Sequence, residues 1–481
     1  MRLTLRDLLW GIQLADQRHE PIIPTKWQSR TISDVAIDSR LVQAGGVFVA
    51  LVGAKVDGHN YLTAAAANGA VVALVDQSRA GDLALTHGWT AVFAPYHIPN
   101  TWDGVLLVAV DDPLTALQRW AAWHRQQHDV DWVIGITGSV GKTSTKEMIA
   151  AVVSRSMSTH KTPRSYNSES TLPLVTLGID ATHHAAVFEM GMYAAGEIAL
   201  LASIAKPNIA VVTTVGPSHL ERMGSIEAIA AAKSELVQSL TADGVAILNA
   251  DDPRVDAMAT LTSARVVRYG FSAHADVRAC DIEQLGLAGT RFRVESQSYD
   301  GIIHLASPGL HQVRNLLAAF AVAEVIGIPF EVVSDAIAQD ITQVRFVIYQ
   351  GVNNTQIIDD TYNAAPTSMQ AALELLATVS SRRVAVLGDM RELGHIEESA
   401  HRALGELALR CTDVLVAVGS RGTWIGAEAQ RLGMNAVYFA PDTESAIPVV
   451  CDLIQPGDCV LIKGSRAMHM EDIVTAIRAN V

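Results

Sequence analysis

The chain has 481 residues, 49% of them hydrophobic and 18% charged, a composition typical of a globular protein of about three domains. Its 36 basic and 50 acidic side chains give a formal net charge of −14, and no run rich in lysine or arginine is present. Nucleic-acid binding needs a basic surface, so we expect a protein that acts on small molecules and has no nucleic-acid partner.

The N-terminal segment and the cysteines bear on whether the protein is secreted, inserted in a membrane or stabilised by zinc or disulfides. The N-terminal MRLTLRDLLWGIQLADQ is interrupted by charges and lacks the apolar core of a signal peptide. No stretch approaches the roughly 18 uncharged apolar residues of a spanning helix. We therefore expect a cytoplasmic protein without membrane insertion. A zinc site or disulfide framework is not expected, because no CxxC pairing occurs among Cys280, Cys411, Cys451 and Cys459.

Hydrophobic patterning predicts three α/β domains. Residues 1–112 mix short apolar runs such as GGVFVALVG and GVLLVAV with turns, which indicates a small α/β domain. Residues 113–343 alternate β-rich runs with Ala-rich helical patterns, which predicts a parallel sheet flanked by helices. Consecutive strand-like runs over 264–308 add a small antiparallel sheet to this central domain. Residues 344–481 return to alternation and predict a Rossmann-like α/β domain.

The segment GITGSVGKTST follows an apolar strand pattern and opens a helical one, as a phosphate-binding loop does. Gly138 and Gly141 allow backbone N–H groups to converge on phosphate oxygens, and the helix N-terminus adds partial positive charge. Lys142 suits the terminal phosphates and the Thr143 hydroxyl suits Mg²⁺. The usual pattern has glycine where Ile136 stands. A glycine turn before a capped helix is the alternative interpretation.

Three further side chains are candidates whose roles the residues alone leave open. Glu189 ends the apolar run AAVF and could hold Mg²⁺ or be a solvated acid. His219 follows the strand pattern NIAVVTTV, where a histidine is often only a hydrogen-bonded loop residue. Lys233 lies in the Ala-rich helical pattern AIAAAKSELV and could be an ordinary surface lysine.

Together these segments resemble the Mur ligase family, the ATP-dependent enzymes that add amino acids to the UDP-muramoyl peptide of bacterial peptidoglycan. The family loop reads T-G-[ST]-x-G-K-[TS], which TGSVGKT fits without a glycine at position 136. The segments DSRLVQAGGVFVALVGAKVDGH, IIDDTYNAAPTSM, VLGDMRELG and LIKGSRAMHME are similar to stretches of the members that add D-alanyl-D-alanine. The resemblance covers nearly the whole chain.

The resemblance implies a role for each matching residue. The ATP phosphates would lie on Gly138, Ser139, Val140, Gly141, Lys142, Thr143 and Ser144. The adenine would lie near His311 and Asn315, while Arg345 and Asp360 would reach the nucleotide when the C-terminal domain closes. Two Mg²⁺ ions would be served by Thr143, Glu189, His219 and a Lys233 carbamylated by CO₂. The catalytic set would be Lys142, His219 and Lys233.

The implied substrates are UDP-N-acetylmuramoyl-tripeptide and D-alanyl-D-alanine, joined through an acyl phosphate, and a monomer is expected. The first substrate would be contacted by Ser39, Arg40 and Asn167. Candidates around the dipeptide are Tyr362, Asn363, Asp389 and Arg391, which could equally be structural supports at strand ends. The third residue of the acceptor peptide, and a dipeptide against a depsipeptide, stay open.

Departures from the family pattern bear on how the substrates are held. Gln312 replaces Asn in H-N-x-x-N, Thr171 replaces Gly in N-x-x-x-G-x-P, and Val344 stands in TQVRF where P-G-R is common. If the replaced glycine has positive φ in relatives, Thr171 must force a different local path.

Three alternative functions remain. A Mur-like ligase with another acceptor is possible, although DSR…DGH argues against folylpolyglutamate synthetase. A P-loop ATPase or GTPase that uses hydrolysis as a switch is the second, and a GTPase should carry the guanine motif N-K-x-D, which is missing from the sequence. A silent descendant of a ligase would have no chemical need for the combination of Lys142, Glu189, His219 and Lys233.

Overall fold

A computed structural model of the chain describes residues 3–16, 18–341 and 347–479. The predicted nucleotide contact Arg345 and the departure Val344 lie outside the described residues. The strands are β1 Val35–Ala36, β2 Val47–Val49, β3 Val72–Asp76, β4 Thr90–Val92, β5 Leu106–Val110, β6 Trp132–Thr137, β7 Thr159–Lys161, β8 Ala185–Glu189, β9 Ile209–Val212, β10 Val245–Asn249, β11 Arg265–Gly270, β12 Val277–Gln284, β13 Thr290–Glu295, β14 Asp300–Leu305, β15 Val347–Gln350, β16 Gln356–Asp359, β17 Arg383–Leu387, β18 Val414–Val418, β19 Val437–Ala440 and β20 Cys459–Lys463.

The helices alternate with these strands through most of the chain, as the apolar periodicity predicts. They are α1 Leu5–Gly11, α2 Thr25–Gln28, α3 Leu62–Ala67, α4 Gln77–His87, α5 Pro113–Gln126, α6 Lys142–Ser154, α7 Leu172–Leu177, α8 Glu197–Ala205, α9 Leu220–Met223, α10 Ile226–Gln238, α11 Pro253–Asp256, α12 Leu310–Ile326, α13 Phe330–Asp340, α14 Pro366–Ala377, α15 Glu397–Cys411, α16 Gly419–Arg431, α17 Thr443–Leu453 and α18 Glu471–Ile477. Among the described residues, none of these helices is long and apolar enough to cross a membrane.

The chain folds into two compact units, the first of which comprises residues 1–135, 157–190 and 199–207. It contains a five-stranded sheet in the order β1-β2-β3-β5-β4, and every pairing in it is parallel. The central strands β3 and β5 are apolar runs with almost every residue buried, as expected of strands covered on both faces. α5 then begins where the Asp112 carboxylate accepts the Thr115 N–H at 2.8 Å.

The second unit comprises residues 136–156, 191–198 and 208–481 and contains two sheet regions. In the first region β9, β10, β11 and β12 are parallel neighbours, and β12, β13 and β14 continue as antiparallel pairs. The predicted parallel sheet with a small antiparallel extension is confirmed. α12 covers this region and packs against α6, the helix that follows the glycine loop.

The second region is a six-stranded sheet in the order β15-β16-β20-β17-β18-β19, parallel except for β15. Two separate apolar cores cover its faces, which is the arrangement of a Rossmann-like α/β sheet. The neighbouring strands β16, β20 and β17 end at Asp359, Lys463 and Leu387. The segments DDTYN, KGSR and GDMREL therefore leave the sheet side by side at the edge where such folds bind ligands.

Candidate functional site

The glycine loop has a backbone that only glycine can supply at two positions. Gly138 has φ 147° and Gly141 has φ 91°, both in the left-handed region. A Cβ atom at residue 138 would lie 1.9 Å from the hydroxyl oxygen of Thr213. At residue 141 a Cβ would lie 2.6 Å from the amide oxygen of Asn315. A side chain at either position would therefore clash with Thr213 or Asn315.

Hydrogen bonds hold the loop against the end of β9. The Ser139 N–H donates to the Thr214 carbonyl at 2.8 Å, and the Thr213 hydroxyl donates to the Val140 carbonyl at 2.6 Å. The Lys142 ammonium donates to the Gly138 carbonyl at 2.7 Å. No side chain caps α6 at its N-terminus, Gly141. Because the first N–H groups of a helix have no partner within it, this end has the donors and partial positive charge that suit an anion.

Lys233 is buried, so its interpretation as a surface lysine is wrong. Its side chain lies on the same stripe of α10 as the buried residues Ile229, Ala232 and Leu236, which are spaced as one helix face. Only 2% of Lys233 is exposed, and the structure shows no hydrogen bond or ion pair for it among the residues it describes. Burial holds the pKa of the Lys233 amine well below its usual value, and the charge of Lys142 lowers it further.

His219 belongs to the same cluster of nitrogen groups. It precedes α9 with a positive φ of 60°, and its Nδ1 is hydrogen-bonded to the Glu392 carboxylate. The Tyr193 ring meets it edge-on at 5.0 Å between ring centres. Burial lowers the pKa of His219 against the opposing effect of Glu392, and the charges of Lys142 and Lys233 lower it further.

Glu189 lies in the first compact unit at the end of β8 and is only 2% exposed. Its carboxylate accepts a hydrogen bond from the Asn167 amide at 2.7 Å, and its N–H donates to the Thr162 hydroxyl at 3.1 Å. Thr171 has φ −101°, so threonine fits there without backbone strain. Its hydroxyl accepts the Ser168 N–H at 3.1 Å, which stabilises the turn that carries Asn167.

The residues expected near adenine lie on the first turns of α12. The Asn315 amide donates to the Gln312 side-chain oxygen at 3.3 Å. Gln312, which replaces the usual Asn of the family motif, therefore supports Asn315, which matches the motif. Desolvation and the nearby charges of Lys463 and Arg314 lower the pKa of His311 to about 4. The His311 ring is therefore neutral at pH 7 and suits stacking or hydrogen bonding with a base.

At the edge of the C-terminal sheet, a buried lysine organises the segment DDTYN. The Lys463 ammonium donates to the Asp360 carboxylate at 2.6 Å and to the Asn363 carbonyl at 2.9 Å. Lys463 is 2% exposed, and the pair fixes the backbone on which Tyr362 and Asn363 are exposed. Tyr362 is 41% exposed, with the Arg466 guanidinium 5.9 Å from its ring centre.

Asp389 accepts hydrogen bonds from the start of α16. Its Oδ1 accepts the N–H groups of Arg421 and Gly422 at 2.9 and 2.8 Å, in the first turn of α16. Arg391, two residues on, is exposed, and its N–H donates to the Ser465 hydroxyl at 3.0 Å. Oδ1 of Asp389 thus supports α16, and the Arg391 side chain is at the surface, so a dipeptide contact of Asp389 through its other carboxylate oxygen stays a prediction.

In the first unit, Ser39 and Arg40 lie in a short 3₁₀ turn after Asp38. Ser39 is 6% exposed and its carbonyl accepts the Asn68 amide at 2.9 Å, while the Arg40 guanidinium is exposed and pairs with Asp38 at 2.6 Å. The nearby DGH segment is structural, since His59 accepts the Asp76 N–H at 3.1 Å through Nε2 and contacts Asp57 through Nδ1 at 2.8 Å.

Comparison with known proteins decides the family. A relative from Mycobacterium bovis, named UDP-N-acetylmuramoyl-tripeptide–D-alanyl-D-alanine ligase, is 37% identical over 483 residues, covering 94% of this chain and 93% of the relative. The chain belongs to the Mur ligase family. The family's catalytic, middle and glutamate ligase domain descriptions match residues 31–125, 136–323 and 344–466. The resemblance drawn from the loop and the C-terminal motifs is confirmed.

Solved structures agree with this Mur ligase fold. The crystal structure of MurF from Acinetobacter baumannii superposes with a TM-score of 0.83 at 30% identity, covering 99% of this chain and 98% of that one. MurF from Thermotoga maritima, solved in complex with ADP, gives a TM-score of 0.76 at 26% identity over 92% of this chain and 96% of that one.

The second compact unit of this Mur ligase brings together Lys142, His219 and Lys233, and it places Asn315 against the glycine loop. Glu189 and Asn167 meet each other in the first unit. Sequence reasoning missed Glu392 and Lys463, although both lie in motifs quoted for the resemblance. Lys463 carried a usable signal, because it directly ends the fully buried strand CVLIK.

We expect Gly141→Ala to weaken nucleotide binding at least about tenfold, or about 1.4 kcal/mol. The added methyl group must displace Asn315, and alanine is strained at φ 91°. Titration of ADP by calorimetry measures this. Gly216→Ala is the matched control, since its Cβ would meet nothing nearer than Ser139 at 3.7 Å. Equal binding by the two variants would contradict the assigned loop.

We expect Asp389→Ala to lower the free energy of unfolding by about 1 to 3 kcal/mol, because two helix N–H groups lose a buried acceptor. The KM for the dipeptide should stay within about twofold when measured below the unfolding temperature. Denaturant unfolding and steady-state kinetics separate the two effects. A large rise in KM with unchanged stability would restore Asp389 as a dipeptide contact.

Proposed function

We propose that this Mur ligase joins D-alanyl-D-alanine to UDP-N-acetylmuramoyl-tripeptide with conversion of ATP to ADP and phosphate, in peptidoglycan precursor synthesis. The observation that carries the proposal is the cluster of the buried Lys233 with the half-buried Lys142 and His219, beside a glycine loop with the phosphate-binding backbone. Relatives 33 to 37% identical over at least 92% of the chain carry the name of this activity.

The reaction needs activation because a carboxylate does not condense with an amine in neutral water. A carboxylate oxygen of the tripeptide attacks the γ-phosphorus of ATP, and ADP leaves. The dipeptide amine then attacks the acyl carbon, loses a proton, and displaces phosphate. Lys142, held by the Gly138 carbonyl, offsets the charge that develops on the transferred phosphoryl group.

The oxygen and nitrogen donors present suit Mg²⁺, and a modified Lys233 would add one more oxygen ligand. Among the described residues there is no group of three or more His, Cys, Asp or Glu side chains that could hold a metal. Mg²⁺ commonly takes one or two protein ligands together with phosphates and water, so Thr143 and His219 would serve as partners within the second unit. Glu189 of the first unit stays a candidate ligand from the resemblance. When bound, the ions neutralise phosphate charge. Lys233 would contribute a carbamate oxygen instead of a second repelling cation.

Carbamylation requires a neutral amine, and the burial that lowers the pKa of Lys233 favours that form. The amine nitrogen attacks CO₂ and releases one proton, which leaves a carboxylate-like anion beside Lys142. The positive charge of Lys142 stabilises this anion, which a buried charge requires.

Further parts of the proposal concern organisation. We place three domains at 1–112, 113–343 and 344–481, in line with the three matched family segments. A cytoplasmic monomer fits a reaction that consumes ATP and a UDP-linked precursor.

The substrates would be contacted by residues of both units. The UDP-linked substrate would face Ser39, Arg40 and Asn167, and the dipeptide would face the exposed Tyr362, Asn363 and Arg391. Arg345, which lies outside the described residues, stays a predicted contact of the nucleotide.

The proposal is tested by phosphate release from ATP with UDP-N-acetylmuramoyl-tripeptide, in Mg²⁺ and bicarbonate. We expect release to require both this substrate and D-alanyl-D-alanine and to yield a pentapeptide product by mass spectrometry. Lys142→Met should abolish it. Release that ignores the dipeptide would point to another acceptor chemistry, and no release from the wild type would favour the silent descendant.

We expect a carbamate at Lys233, visible by carbon-13 NMR after equilibration with labelled bicarbonate. The signal should be present in Lys26→Arg, which alters an exposed lysine, and be lost in Lys233→Arg, which cannot carry the modification. Activity should fall when CO₂ is depleted and return when bicarbonate is added. Full activity without CO₂ would contradict the carbamate.

A further inference from the structure

The loop after β17, residues 388–396, reaches the segment that carries His219. The Glu392 carboxylate is hydrogen-bonded to His219 Nδ1, and the Glu392 carbonyl accepts the Glu221 N–H at 3.2 Å. The backbones are close here, since a Cβ on Gly394 would lie 3.1 Å from the Glu221 Cα. A loop of the C-terminal sheet thus docks on the end of the sheet that carries the phosphate loop.

The loop is built to present this carboxylate. Glu392 has φ 65°, a conformation that costs a glutamate about 1 kcal/mol or more and must be held by its surroundings. The preceding residues are anchored, because the Met390 N–H donates to His401 Nε2 at 2.9 Å and the Arg391 N–H donates to the Ser465 hydroxyl. Because the residues before it are anchored and its own backbone is strained, Glu392 is held with its side chain in one direction.

The contact determines which nitrogen of His219 is available. With Nδ1–H donating to Glu392, the ring is in the tautomer whose lone pair is on Nε2. A histidine that binds a metal commonly donates its other N–H to a carboxylate or carbonyl, which fixes the ring and raises its basicity. His219 receives that carboxylate from residue 392, across 173 positions of sequence and from the other sheet region.

We infer that Glu392 is a positioning residue that couples docking of the C-terminal sheet to completion of the Mg²⁺–nucleotide site, by fixing the tautomer and orientation of His219. The inference rests on the proposed function for the role of His219. In this arrangement the site gains its full affinity for Mg²⁺ only when residues 388–396 are docked. Phosphoryl transfer is then restricted to the state in which the dipeptide-binding edge is also in place.

Glu392→Asn is the variant of choice, because asparagine tolerates a positive φ but is too short to reach His219. Glu392→Gln keeps an oxygen that can accept from Nδ1–H. Glu221→Gln is the matched control: it removes a carboxylate from the same surface while the backbone bond to Glu392 remains. Thermal unfolding of each variant confirms that it folds.

The measurement is the gain in ADP affinity that Mg²⁺ produces, obtained by calorimetry with Mg²⁺ and with EDTA. We expect Glu392→Asn to lose about tenfold or more of that gain while metal-free ADP binding is unchanged. Glu392→Gln should recover part of the gain, and Glu221→Gln should match the wild type. Unchanged gain in Glu392→Asn, or equal loss with and without Mg²⁺, would overturn the inference.

Hydrogen exchange supplies a second readout that does not depend on ligation. Mg²⁺–ADP should slow exchange in residues 216–224 and 388–396 together in the wild type, and in neither segment in Glu392→Asn. Slowing of both segments in that variant would contradict the coupling. Because these measurements use only nucleotide binding, a wild-type protein that failed the phosphate-release test would overturn the proposed function without deciding the role of Glu392.

Discussion

Buried positive charge beside the phosphate loop is the constraint on which the rest of the site depends. Lys233 has lost its hydration, has no partner among the described residues, and is repelled by Lys142. Such an arrangement is costly unless the amine loses its proton or anions arrive. The proposed carbamate on Lys233 and the phosphates of ATP would meet that need together, because both bring negative charge to this cluster.

The two sheet regions of the second unit contribute different groups from their carboxyl-terminal edges. The glycine loop and His219 belong to one edge, while Asp360, Glu392 and Lys463 belong to the other. Carboxylates of similar appearance in the sequence have different tasks there. Asp389 accepts N–H groups of α16, Asp360 pairs with Lys463, and Glu392 reaches His219. Chemistry that needs a nucleotide and an amine donor thus draws on both sheets.

The features that could be predicted from the sequence are those with a local pattern of apolar residues or glycines. The strands, the helices and the loop TGSVGKT follow from apolar periodicity and glycine placement, and the spacing of Ile229, Ala232, Lys233 and Leu236 already places the lysine on a buried face. The roles of His219 and Lys233 came only from the resemblance. Glu392 could not be predicted, because a contact across 173 positions leaves no periodic trace. Asp389 was ambiguous for the same reason, since α16 begins 30 residues later.

In the proposed reaction, the tripeptide carboxylate is activated by phosphorylation beside the charge cluster. The most direct measurement follows oxygen-18 from the labelled terminal carboxylate of UDP-N-acetylmuramoyl-tripeptide during one turnover with ATP and D-alanyl-D-alanine. We expect one labelled oxygen in the released phosphate, because the bridging oxygen of the acyl phosphate leaves with phosphorus. Phosphate without label, with both labelled oxygens remaining on the peptide, would show that ATP is hydrolysed by water and would contradict the account.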